Sequence, residues 1–115
     1  MFQITLPYPP SVNHYWGARG VHRFLTAKAK AFRAATIEAV RTSGQGGFGE
    51  ARLEVCIQLH APDRRLRDID NCVKSILDSL CHAGVFVDDS QVDRLVVERG
   101  AVVKGGSCLV HIKLK

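Results

Sequence analysis

Six of the eleven acidic residues of this 115-residue chain fall within one central stretch: Asp63, Asp68, Asp70, Asp78, Asp88 and Asp89. Arg64, Arg65 and Arg67 sit directly against them, in a chain whose formal net charge is +5. Clustered carboxylates repel one another unless something neutralises them. No Cys-x-x-Cys pair and no His-Glu-x-x-His spacing accompanies them, so the candidate ligands are all oxygen. Such a donor set suits a hard cation, Mg²⁺ or Mn²⁺, rather than zinc. The chemistry that follows is metal-assisted attack on a phosphate backbone: water activated, the scissile phosphate polarised, the leaving oxygen stabilised.

The spacing of Asp68 and Asp70 sets a condition on local structure. Two residues apart in a helix, they would point to nearly opposite sides; on extended chain they point the same way. The helical period begins at Ile69 and continues through Val73, Ile76, Leu77 and Leu80, with Gly84 as a stop, which predicts a helix over 71–83. Asp68 and Asp70 are therefore expected on extended chain running into that helix, near its positive end. The alternative is that Asp70 only caps the helix and Asp68 faces solvent. Lys74 follows Asp70 by four residues and shares its helical face. It is either a surface ion pair, with Asp70 or Asp78, or an ammonium beside the metal site that steadies charge on phosphate. Asp88 and Asp89 rejoin the site only if the short segment 85–87 runs back beside the helix.

The remaining elements frame this motif. Phe2, Ile4 and Leu6 alternate as a strand, which Pro7, Pro9 and Pro10 end. Residues 11–23 have no clean period and read as a loop or irregular hairpin. There Asn13, Tyr15, Arg19 and Arg23 mix rings and cations in a manner suited to nucleic acid. The competing reading makes Tyr15 and Trp16 core residues under a loop. Thr26 caps a helix over 27–42 with a small-residue stripe of Phe32, Ala35, Ala39 and Val40. Its Lys28, Lys30, Arg33 and Arg41 form either a solvated basic face or a flank that supports phosphate binding. Residues 52–60 alternate strictly as a strand; 94–103 and 108–114 are expected to form a hairpin about Lys104 to Ser107. The fold class is mixed α/β (α+β), one small domain over residues 1–115, with a mixed sheet and two main helices.

A sequence pI near 9.3 points to an anionic partner, nucleic acid being the commonest. No apolar run approaches the ~20 residues of a membrane span, and no signal segment is visible, so a cytoplasmic protein is expected. The four cysteines are expected to be free thiols packed in the core.

At these residues the chain resembles the RusA family of Holliday-junction resolvases of bacteria and their phages. The matching stretches are residues 6–13 (Leu-Pro-Tyr-Pro-Pro-Ser-Val-Asn), Pro62 to Asn71, Lys74, and Val87 to Val92. The resemblance implies a small mixed α/β domain acting as a homodimer on four-way DNA. It implies metal-binding aspartates at Asp68, Asp70 and Asp89 and a catalytic lysine at Lys74, with Asp88 beside the last aspartate. A junction needs two symmetric nicks, and a two-fold dimer supplies two sites. Arg64, Arg65 and Arg67 would then join the 11–23 loop in gripping DNA backbone. Two alternatives stand beside this: a nuclease for other branched DNA such as flaps or forks, and a junction-binding protein without catalysis.

Overall fold

The computed structural model describes residues 1–11, 16–19 and 22–115; the side chains of residues 16, 18–19 and 22–23 also lie outside the description. The elements are β1 (Phe2–Leu6), β2 (Trp16–Arg19), β3 (His22–Leu25), α1 (Ala27–Ser43), β4 (Leu53–His60), α2 (Val73–His82), a 3-10 turn (Asp89–Gln91), β5 (Val92–Arg99) and β6 (Ser107–Leu114). β2 and β3 pair antiparallel, Trp16 opposite Leu25 and Arg19 opposite His22. The other four strands form one sheet in the order β1-β6-β4-β5. This is the mixed sheet with two helices that the sequence predicts.

Alternation in β1, β4 and β6 puts one face of the sheet into the core. Leu6, Leu53, Val55, Ile57, Val110 and Ile112 are nearly or fully buried there, against Phe32 of α1 and Ile76 and Leu80 of α2. Each such side chain contributes roughly 1.5–3 kcal/mol. The opposite face stays open. Glu54 and Lys113 pair across it at 3.2 Å, and Cys56 is exposed on it. Only Cys72 and Cys108 are buried thiols, so the expectation of four core cysteines fails at Cys56, whose position in β4 is odd relative to Val55 and Ile57.

α1 begins at Thr26, whose hydroxyl accepts from the Ala29 amide, and ends at Gly44 in the left-handed region. An ion pair between Arg33 and Asp78 joins the two helices with both side chains about one-fifth exposed.

The expected hairpin between the last two strands does not form. β5 runs parallel to β4 on the sheet's edge, while β6 lies on β4's other side, between β4 and β1. Parallel neighbours need a crossover, and α2 is that crossover. The 100–106 connection therefore passes the end of β4 and bonds to it: the Gly100 amide donates to Leu59 O and the Val103 amide to Ala61 O. Gly106, at φ 72°, packs so closely that a Cβ would lie 2.7 Å from Tyr8 Cβ.

This passage predicts unequal costs for two neighbouring glycines. Gly105, at φ 83°, has nothing within 4 Å of an added Cβ, so Gly105→Ala should cost only backbone strain, about 1–2 kcal/mol. Gly106→Ala adds the collision with Tyr8 and should cost clearly more. Urea unfolding of the two variants checks this; equal losses would refute the close packing at Gly106.

Candidate active site

The segment after β4 is held by its own charges. The Asp63 carboxylate accepts from the Arg65 amide at 2.9 Å and pairs with the Arg67 guanidinium at 2.8 Å. Arg67's hydrogen bond, with that of the Arg65 amide, holds the Asp63 carboxyl below the usual carboxylate range. Arg67 also lies over the Tyr8 ring, 5.7 Å from its centre. Arg99 of β5 donates to the Arg67 carbonyl. Burial, then Cys72, pushes the Tyr8 hydroxyl up to about 12, so it stays neutral at physiological pH. Arg67 is thus drawn inward as a brace, while Arg64, Arg65, Leu66, Asp68 and Asp70 face solvent.

The approach to α2 differs from the expected extended path. The Asn71 amide donates to Asp68 O at 3.2 Å and the Val73 amide to Asp70 O at 3.4 Å, so the chain turns through 69–72. The helix starts at Val73 with Cys72 at the cap position and no side-chain cap bond. Asp70 is therefore not the helix cap. The helix start is fixed instead from the proline stretch: Ser75 Oγ lies 2.8 Å from Pro10 O, and Cys72 Sγ donates to Pro9 O at 3.7 Å. That is the local use of the Pro-Tyr-Pro-Pro run, whose rigid path presents carbonyls to the first turn of α2.

The second acidic stretch comes back beside α2 as far as Lys74. Val85 and Phe86 are buried, the Val85 amide donates to Leu80 O, and Cys81 Sγ donates to Val87 O. The turn that follows is organised by Gln91, which is 5% exposed. Its Oε1 accepts from the Val87 and Asp88 amides at 2.8 and 2.9 Å. Its Nε2 donates to Gly49 O and Ala51 O, both at 2.8 Å. Asp88 shares a capping box with Gln91 and also accepts from the Ser90 amide at 3.0 Å; hydrogen bonding from the Ser90 side chain, then from its backbone, lowers the Asp88 pKa. Asp89 is left to point away from this scaffold, and Lys74 Nζ donates to its Oδ2 at 2.7 Å.

Lys74 therefore pairs across elements rather than along its own helix. Asp78 is engaged with Arg33, and Asp89 takes the lysine instead of Asp70 or Asp78. The bond to Asp89 is the chief cause of the raised Lys74 pKa. Lys74 and Asp89 are brought together. Asp68 and Asp70 lie before the helix, and among the described residues no group of three or more His, Cys, Asp or Glu is placed to hold a metal ion. Of the candidate DNA contacts, Asn13 and Tyr15 lie outside the described residues, as do the side chains of Arg19 and Arg23. Gln91 was not singled out from the sequence, though Asp88 followed three residues later by Gln91 is the pattern of a capping box.

Residues 7–115 match the family model described as Endodeoxyribonuclease RusA. A crossover junction endodeoxyribonuclease of Enterobacteria phage HK97 is 41% identical over 111 residues, covering 96% of this chain and 92% of its own. One from Enterobacteria phage 82 is 35% identical over 105 residues, covering 91% and 88%. Another, from Escherichia coli, is 34% identical over 105 residues with the same coverage. No helix among the described residues is long and apolar enough to cross a membrane.

Gln91→Ala removes four hydrogen bonds from a buried position and should cost on the order of 3 kcal/mol. Gln91→Glu keeps the two acceptor bonds' geometry but loses both donors and sets a carboxylate beside the Gly49 and Ala51 carbonyls, so it should not rescue. Chemical denaturation measures both; a Gln91→Glu protein as stable as wild type would contradict the assigned donor bonds.

Proposed function

Since the chain belongs to the RusA family of endodeoxyribonucleases, we propose that it is a crossover junction endodeoxyribonuclease, acting as a homodimer that places paired symmetric nicks in four-way DNA with Mg²⁺. The observation that carries this reading is the 2.7 Å contact between Lys74 of α2 and Asp89 of the second acidic stretch. Mn²⁺ should substitute for Mg²⁺. The ligands would be Asp68, Asp70 and Asp89.

The residues fit such an ion in donor chemistry. They are carboxylates, Asp68 and Asp70 are exposed, and Asp89 already attracts a cation in Lys74. The lack of a closed three-carboxylate cluster among the described residues is compatible with Mg²⁺. That ion is commonly held by one or two carboxylates, waters and substrate phosphates rather than by a protein cage. Bound there, Mg²⁺ would activate a water and stabilise the leaving oxygen.

The chain's own contributions follow from its geometry. Lys74, protonated at neutral pH, supplies a compact positive charge beside the phosphate. Because its pKa is raised in the folded protein, the pair's contribution to stability is complete below the ordinary lysine value and disappears as pH rises through the folded one. The ion pair is too exposed for that contribution to be large, so the lysine's value lies in where its charge sits. Asp88 and Gln91 hold the Asp89 backbone still. The brace of Arg67 on Tyr8 and Asp63 fixes the turn that carries Asp68.

Asp70→Asn should abolish cutting of a synthetic four-way junction in Mg²⁺ while binding persists. Cutting at the wild-type rate would remove Asp70 from the site. Mg²⁺ or Mn²⁺ should raise the melting temperature by mass action, and Asp68→Asn should blunt the rise; a flat melting point up to millimolar metal counts against any metal site.

Lys74→Ala should slow single-turnover cutting on the order of a hundredfold or more with the fold intact. Lys74→Arg should rescue poorly, since a planar fork replaces a point charge. Near-normal turnover in Lys74→Ala would make the lysine a surface partner of Asp89 and nothing more. Efficient cutting of flaps or forks but not of four-way junctions would replace the proposed substrate.

A further inference from the structure

A groove of about 520 Å³ separates the first turn of α1 from the turn that carries Asp68. Lys28 lines one wall, and Arg65, Arg67, Asp68 and Asn71 line the other, with Ser11 among the residues between them. Three cations thus line it with one carboxylate, two of them arginines that also pair with Asp63. A neighbouring groove of about 270 Å³ shares Arg65, Arg67 and Asp68 with it but lacks Lys28. Arg67 pairs with Asp63, Arg99 is bonded to the Arg67 carbonyl, and Asp63 itself lines that groove. Lys28 makes no ion pair among the described residues.

Lys28 is also poorly placed for stability. It stands in the first turn of a 17-residue helix that has no acidic residue there. The positive end of a helix favours carboxylates and disfavours ammonium groups. A lysine at that position, exposed and lining a groove that Asp68 also lines, does nothing evident for the fold.

We propose that this groove is a binding track for the sugar-phosphate backbone of one DNA strand, with Lys28 as its phosphate anchor. The proposal rests on the DNA-cutting reading and adds to it a path and a residue. A strand lying in the groove brings one phosphate to Lys28 and carries the chain onward to Asp68, with Arg65 facing it from the other wall. Backbone contacts of this kind set position without reading bases, so the effect should be the same for every junction sequence.

The test uses the full-length protein and fluorescent four-way junction, titrated at several salt concentrations. Lys28→Ala should weaken binding severalfold and reduce the slope of log affinity against log salt by about 0.7–0.9, the signature of one lost phosphate contact. Lys28→Glu should weaken binding on the order of tenfold, yet its melting temperature should equal or exceed that of wild type, because a carboxylate suits a helix's first turn. Cutting at subsaturating junction should fall in step with the lost affinity in Lys28→Ala, since the anchor acts on binding rather than on the reacting phosphate. Lys113→Ala, on the open face of the sheet, is the control and should leave the salt slope unchanged.

A wild-type slope and affinity in both Lys28 variants, alongside a wild type that binds and cuts, overturns this proposal alone. Equal losses in Lys28→Ala and Lys113→Ala also overturn it, because the effect is then net charge and not a track. A wild type that binds no branched DNA overturns the proposal and the reading beneath it together.

Discussion

The carboxamide of Gln91 is the point on which the acidic turn depends. It binds two amides of the segment arriving from α2 and two carbonyls of the segment preceding β4. Those segments are some forty residues apart in sequence, and neither has regular structure of its own there. A buried amide with every capacity satisfied can be stabilising, whereas one left half-satisfied is costly. The turn is thus specified in one register. Asp89 follows from it: with Asp88 consumed by the capping box, the next carboxylate projects outward to Lys74.

The opposite end of the site is built on a different principle. No single buried group organises residues 61–72. A chain of surface charges and one ring does so, with Asp63 holding Arg67, Arg67 lying on Tyr8, and Arg99 reaching back to the Arg67 carbonyl. Tyr8 and Pro9–Pro10 belong to the segment after β1, while Arg99 ends β5, so both margins of the sheet meet at this turn. That convergence is possible only because β5 lies parallel to β4 and delivers its C-terminal end to the same side as β4's.

Local signals in the sequence were sufficient where burial is one-sided. The alternation of Leu53, Val55, Ile57 and Leu59 and the Thr26 cap were readable because each depends on neighbours a few residues away. The convergence of Lys74 with the second acidic stretch was legible as a condition, that 85–87 must run back along the helix, and Val85 and Phe86 meet it by burial. Sheet order was not legible. Residues 92–99 show little alternation in burial, since an edge strand packs weakly, and a Lys-Gly-Gly-Ser stretch looks like a hairpin turn whether or not the strands beside it pair. The path through Asp68 and Asp70 was misjudged for a related reason. Two i→i+3 turns at 68–73 place Ile69, Cys72 and Val73 at a spacing that equally fits a helix beginning at Ile69.

Sorting the carboxylates by partner separates two roles that composition merges. Asp63, Asp78, Asp93, Glu38 and Glu54 each pair with an arginine or lysine, and Asp88 caps a turn. These acids balance the chain's surplus of cations and hold elements to one another. Asp68 and Asp70 have no ion pair among the described residues, and Asp89 has only Lys74. Glu50 and Glu98 are also without one, but each stands alone on the surface, whereas Asp68 and Asp70 are two residues apart with Arg67 turned away toward Tyr8. A basic protein has cations enough to neutralise every carboxylate it carries. Among the described residues Asp68 and Asp70 are nevertheless left without one, while the arginine beside them is spent on a tyrosine ring and another aspartate.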